Sequence, residues 1–235
     1  MHKNNFSVKD LIIFGWSKTL SSYVYILQVM VFSALVLYIS RTVGSFIGGL
    51  IMLCLGVSLT TVFLMISRGQ KTVFSDLFKK YKGYEIFLNY ILASIVFGFL
   101  LSLGLSLVVI ALFIMGIFGY LPTVSLISAG NIFALIILAI LTIPGIYLII
   151  RLQFYKFFII DKDMGPIPAL KASWKITKGH FWKLVQYLLA IVLINIIVGL
   201  FVNKGGIIFL VLLLVTVPVV AIASARLYEM LSGEF

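Results

Sequence analysis

The chain has 235 residues, 63% of them hydrophobic and only 11% charged, with a formal net charge of +11. A soluble domain carries about 25% charged residues, which excludes a water-soluble globule, and the lack of alternating segments of about ten residues excludes a membrane barrel. The excess of Lys and Arg is read as the basic cytoplasmic loops of a polytopic helical membrane protein, in preference to a nucleic-acid footprint.

The first predicted element is short and amphipathic. SVKDLIIFGWSK puts Val8, Leu11, Ile12 and Gly15 on one helical face, with Ser7 as cap and Asp10 three residues on as a capping-box partner. No cleavable signal peptide is expected: Asp10 interrupts the segment and no small-x-small site ends a short apolar core. Six spans then follow, at 22–40, 43–66, 86–114, 131–150, 182–202 and 206–225, each long enough for a hydrocarbon core of about 30 Å. The third belongs to the longest apolar run and is read as one tilted helix. Gly44-x-x-x-Gly48, followed by Gly49, permits close helix approach. Pro144-Gly145 in the fourth span and Pro218 in the sixth are expected to kink their helices. The one cysteine, Cys54, cannot form an intrachain disulfide.

Two loops carry most of the charge. In the second loop, VFSDLFKKY puts Phe74, Leu77, Phe78 and Tyr81 on one face, with Lys79 and Lys80 beside them. In the fourth, DKDMGPIPALKASWKITKGHFWK occupies 161–183 between two oily spans. Pro168 can open a helix there and Gly179 can end it. Leu170, Trp174 and Thr177 form one stripe and Lys171, Lys175 and Lys178 the next. This predicts an interfacial helix, one stripe in the headgroups and the other against anionic phosphates, each lysine contributing about 1 kcal/mol. Trp182 stands where the chain enters the bilayer. The candidate headgroup contacts are therefore Lys171, Lys175, Lys178, Trp174, Lys79 and Lys80. Six spans leave only Arg41 and Lys204 on one side and the other sixteen of the 18 Lys and Arg on the opposite side, which places both termini in the cytoplasm.

Aligning Trp16, Phe78 and Trp174 brings Ile12, Phe74 and Leu170 into register, and likewise Gln28, Tyr90 and Gln186. The chain then reads as three copies of one unit: interfacial helix, span, outer turn, span.

The segment TIPGIYLIIRLQFYKFFIIDKDMGPIPALKASWKITKGHFWKLV, with FGWSK near the start and VTVPVVAIASARLYEML near the end, resembles a loose group of bacterial membrane proteins. The group includes YciC-like proteins and the membrane domain attached to some glycerophosphodiester phosphodiesterases. The likeness is strongest at 142–184 and weakest at 110–130. It implies an all-α bacterial plasma-membrane domain of six spans or a similar number, of a kind mostly without an assigned activity; the hydrolase of the fused members is a separate soluble barrel.

Little chemistry is visible. Asp161 and Asp163 form a D-x-D that could hold a divalent cation, but turn residues ahead of a helix are the stronger reading, so no metal is expected. His180 adjoins a helix end and is read as structural; His2 lies at the terminus. The intramembrane polar residues Gln28, Asn89, Gln186 and Asn195 either pack between helices or line a path. No catalytic or cofactor motif is found, and no cofactor is expected. The residues point to a non-enzymatic, lipid-interacting scaffold or accessory factor whose partners are anionic membrane lipids; a transporter or channel for a lipid or small amphiphile is the alternative.

Overall fold

A computed structural model describes residues 6–82, 84–117, 129–200 and 206–233. Among these there is no strand. The helices are α1 (Val8–Ser21), α2 (Tyr23–Thr42), α3 (Ser45–Ser67), a 3-10 helix (Phe74–Lys82), α4 (Tyr84–Ile117), α5 (Ala129–Leu152), α6 (Tyr155–Lys162), α7 (Pro166–Thr177), α8 (Phe181–Gly199) and α9 (Gly206–Ser232). Six are long and apolar enough to cross a membrane. They match the six expected spans to within a few residues, except that α4 runs to 34 residues and α9 to 27. Residues 118–128 and 201–205 lie outside the described residues.

The long helices pair as three hairpins: α2 with α3, α4 with α5, and α8 with α9. In the first, Gly44 turns the chain at φ 94°, and a Cβ on Gly48 would run into the backbone carbonyl of Ser40. The small-residue motif thus serves the hairpin's own closure. Pro144 and Gly145 lie inside an unbroken α5, where Gly145 meets Gly104 of α4.

The short helices join the hairpins in a ring. Each precedes one hairpin in sequence and packs against the second helix of the hairpin before it. The 3-10 helix lies on α3, α7 lies on α5 (and on α4 and α6), and α1 closes the cycle on α9. The register expected from Trp16, Phe78 and Trp174 matches this arrangement. All three are exposed, whereas Gly15, Leu77 and Ser173, one position earlier, are buried. Leu11 and Ala169 coincide as buried positions, as do Thr19 and Thr177. The correspondence fades inside the spans, where Tyr90 is buried but Gln28 and Gln186 are exposed.

Two features depart from expectation. Residues 151–181 are not one loop with a helix at its centre. The chain turns at Gln153 and Phe154 and re-enters the interior as α6, with Tyr155, Phe157, Phe158, Ile159 and Ile160 buried. This buried run is that of a helix largely enclosed by protein. The following helix also starts earlier than expected, with Pro166 in its first turn and Gly165 as cap, and it stops at Thr177. Gly179, at φ 92°, redirects the chain into α8.

Gly15 is the closest point of the ring's closure: a Cβ there would collide with the carbonyl oxygen of Val219 on α9. Gly15→Ala is expected to lower stability in detergent by about 1–3 kcal/mol, although alanine is the better helix former. Trp16→Ala, on the exposed side, should change it far less. Thermal unfolding that ranks the two variants the other way would contradict the packing.

Candidate functional site

Three groups of side chains stand out, all toward the basic end of the bundle. The first is an ion-pair cluster where α3, α6 and α9 meet. Arg68, just past α3, donates from Nη1 and Nη2 to the two oxygens of Asp161, at 2.7 and 2.9 Å. Its Nε donates to Glu229 Oε1 at 3.1 Å. Ser67 Oγ donates to the same oxygen at 3.0 Å, and Tyr228 donates to Asp161 Oδ2 at 3.2 Å. Arg226 Nη1 lies 3.7 Å from Glu229 Oε2. Both carboxylates are almost wholly covered, at 8% and 4% side-chain exposure, so they need this pairing. Tyr228 also stacks on Phe157 at 5.1 Å. Asp161 is therefore a structural partner of Arg68, while Asp163 is exposed and ends α6 at φ 50°. Among the described residues no group of three His, Cys, Asp or Glu could hold a metal ion.

The second group lines a cavity of about 370 Å³ between α3, α4, α6, α8 and α9, with Thr60, Tyr90, Lys156, Asn195, Thr216 and Ser224 as its polar residues. Lys156 comes from α6 and has neither an ion-pair partner nor a hydrogen bond among the described residues. Its ammonium stands 5.7 Å from the Phe157 ring. Thr60, Thr216 and Ser224 donate to backbone carbonyls one turn back at 2.8, 2.9 and 2.8 Å. Asn195 Nδ2 does the same at 2.8 Å. Ser224 Oγ is also 2.8 Å from Tyr187 Oη, so the lone pairs of Thr60 and Thr216 and the free groups of the Asn195 amide are what this wall offers.

The third group is α7 and its seat. Ser173 Oγ donates to the carbonyl of Arg151 at 2.9 Å and accepts the N–H of Phe154 at 3.1 Å, so it satisfies backbone groups released where α5 ends. Thr177 reaches the same carbonyl at 3.3 Å. The Arg151 guanidinium sits among Tyr147, Trp174 and Phe181, at 5.2, 5.5 and 5.6 Å from their ring centres. Its Nε and Nη1 are covered and meet no acceptor, so cation–π attraction holds it in place.

This placement corrects the expected role of the α7 stripe. Leu170 and Thr177 are buried in protein, and Trp174, 40% exposed, leans edge-on against Tyr147 at 5.6 Å. Leu170 and Thr177 thus seat α7 on the bundle, while Trp174 keeps an exposed face. Lys171, Lys175 and Lys178 are exposed, as is Trp182. Lys79 and Lys80 fall within the 3-10 helix, but their side chains lie outside the described residues. Of the four intramembrane polar residues only Asn195 lines the cavity; Gln28 and Gln186 are exposed on α2 and α8, and Asn89 is half-buried on α4. His180 precedes α8 with its ring 6.3 Å from that of Phe6. Sequence reasoning gave no role to Lys156, Arg68 or Glu229. A lysine inside the apolar run FYKFFII was the one signal available for the cavity.

The chain belongs to the family described as a domain of unknown function (DUF7847), which it matches over residues 21–231. No curated protein and no solved structure matches it.

Ser173→Ala leaves the Phe154 N–H without a partner and is expected to cost about 1–3 kcal/mol. Thr177→Val should cost less, because Ser173 still serves the Arg151 carbonyl. Equal losses in chemical or thermal unfolding would contradict this division of labour.

Proposed function

We propose that this DUF7847 member is a non-enzymatic, lipid-interacting protein of a bacterial plasma membrane, a scaffold or accessory factor in envelope maintenance. The observation that carries the reading is a rim of exposed cations on a rigid base. Lys9, Lys71, Lys162, Lys171, Lys175 and Lys178 are exposed at one end of the bundle, on or beside helices seated by the contacts described above. Such a rim suits the anionic cytoplasmic leaflet, and the same bias in Lys and Arg supports placing both termini in the cytoplasm. The resemblance of 142–184 to YciC-like and phosphodiesterase-associated membrane domains supports the same setting. A carrier for a small amphiphile is the second reading, and the cavity around Lys156 favours it.

The rim is tested with the full chain in nanodiscs of mixed lipid. Selectivity for phosphatidylglycerol over phosphatidylcholine, read with spin-labelled lipids, should fall when Lys171, Lys175 and Lys178 are replaced by glutamine. The loss should approach about 3 kcal/mol at most, at about 1 kcal/mol per charge, and added salt should mimic it. Trp174→Ala should leave the selectivity nearly intact. Unchanged selectivity in the triple-glutamine variant would remove the lipid reading of this face.

A further inference from the structure

We infer that the cavity around Lys156 is a binding site for a single-chain amphiphile with an anionic head. The proposal does not rest on the lysine rim. It begins with how the chain treats its enclosed carboxylates. Asp161 and Glu229 are both engaged by Arg68, with Tyr228 and Ser67 completing their hydrogen bonds. These carboxylates are the nearest in sequence to the cavity-lining residues of α6 and α9, and both already have partners. Lys156 is left without an anion in an enclosed site where a lone charge is costly, and an entering carboxylate or phosphate supplies it.

The walls define the rest of the ligand. Thr60 and Thr216 use their hydroxyl donors on their own helices, and Asn195 keeps its Oδ1 beside one unused N–H, so the polar wall around the ammonium offers mainly acceptors. It suits a head that carries hydroxyl donors beside its negative charge. The surface between these groups is apolar, from Phe63, Val217 and Val220 among others. Thr216 and Ser224 lie about 12 Å apart along α9 at 1.5 Å per residue, so the site is elongated along the helices. Its volume of about 370 Å³ lies near the lower end of the roughly 300–1,000 Å³ range of ligand pockets, which suits a head and the start of one chain. Asn195 and Val217 are exposed and mark the open side, through which the chain's end reaches the lipid. Two sources share this chemistry, a free fatty carboxylate and the glycerophosphate head of a single-chain phospholipid.

The test uses the full chain in phosphatidylcholine nanodiscs and three photoreactive probes with the same diazirine-bearing dodecyl chain: a carboxylate, a glycerophosphate and a trimethylammonium. Either anionic probe, or both, should label the cavity-lining segments of α3 and α9, and the ratio of the two identifies the source. The trimethylammonium probe should label them only at background. Lys156→Gln should reduce anionic labelling about tenfold, as expected for loss of a charge-assisted hydrogen bond. Lys156→Arg should retain it. Val217→Trp, at the exposed mouth, should block labelling with the lysine in place, which keeps the proposal testable if Lys156→Gln does not fold. The triple-glutamine rim variant should label as the parent does. Equal labelling by the cationic probe, full labelling of Lys156→Gln, or full labelling of Val217→Trp would overturn the proposal. None of these outcomes bears on the lipid selectivity of the rim.

Discussion

The pairing of Arg68 with Asp161 and Glu229 is the constraint on which the rest of the bundle depends. Hydrocarbon packing alone does not choose how far one apolar helix slides along another, because neighbouring registers bury similar surface and lipid competes for the same faces. Charge-assisted hydrogen bonds do choose, since a displacement of one turn would strand two carboxylates in an apolar interior. Arg68 ends α3, Asp161 lies near the end of α6 and Glu229 lies near the end of α9. One guanidinium therefore fixes three helices from different parts of the chain at a common level. Arg226 adds a second cation beside Glu229.

Two consequences follow from that level. The first is the ring of short helices. With α9 held, its Val219 carbonyl meets Gly15, and α1 can close the cycle only because that position has no side chain. With α6 held, the turn at Gln153 and Phe154 offers its unpaired backbone groups to Ser173 of α7. The second is the cavity. The cluster and the aromatic layer of Phe157 and Tyr228 bring α3, α6 and α9 together at the basic end. Farther along, Lys156 looks into space that these helices do not fill. The lysine rim lies outside this frame, so lipid contact at the rim and ligand contact in the cavity can be varied independently.

The hydrophobic periodicity in the sequence was sufficient for the six long helices, because a span's length and composition are set by the bilayer whatever its neighbours. The alignment of Trp16, Phe78 and Trp174 also carried information, since the position before each of them, Gly15, Leu77 and Ser173, is buried. What periodicity could not distinguish was an apolar stripe meeting lipid from one meeting protein. Leu170 and Thr177 satisfy either reading, and in the fold they meet protein. The helix α6 was hidden for a related reason: YKFFIIDK is too short to register as a span and carries Lys156, Asp161 and Lys162, so it reads as part of the fourth loop. Arg68 and Asp161 are 93 positions apart, so their partnership leaves no local trace, and Asp161 looked like a turn residue. Lys156 counts with the cytoplasmic charges in the sequence because the six-span reading places it in the fourth loop.

The central claim is that one buried ion-pair cluster sets the register of the bundle. It is tested most directly by a double-mutant cycle on Arg68→Gln and Glu229→Gln, with unfolding free energies measured for both single variants and the double variant in one detergent. Arg68→Gln leaves the buried Glu229 with one partner fewer, and Glu229→Gln takes one of the two carboxylates from Arg68. The two losses should therefore overlap, and the double variant should be less destabilised than their sum by at least about 1 kcal/mol. Additivity to within about 0.5 kcal/mol would mean that the two residues act independently and that packing, not this cluster, sets the register.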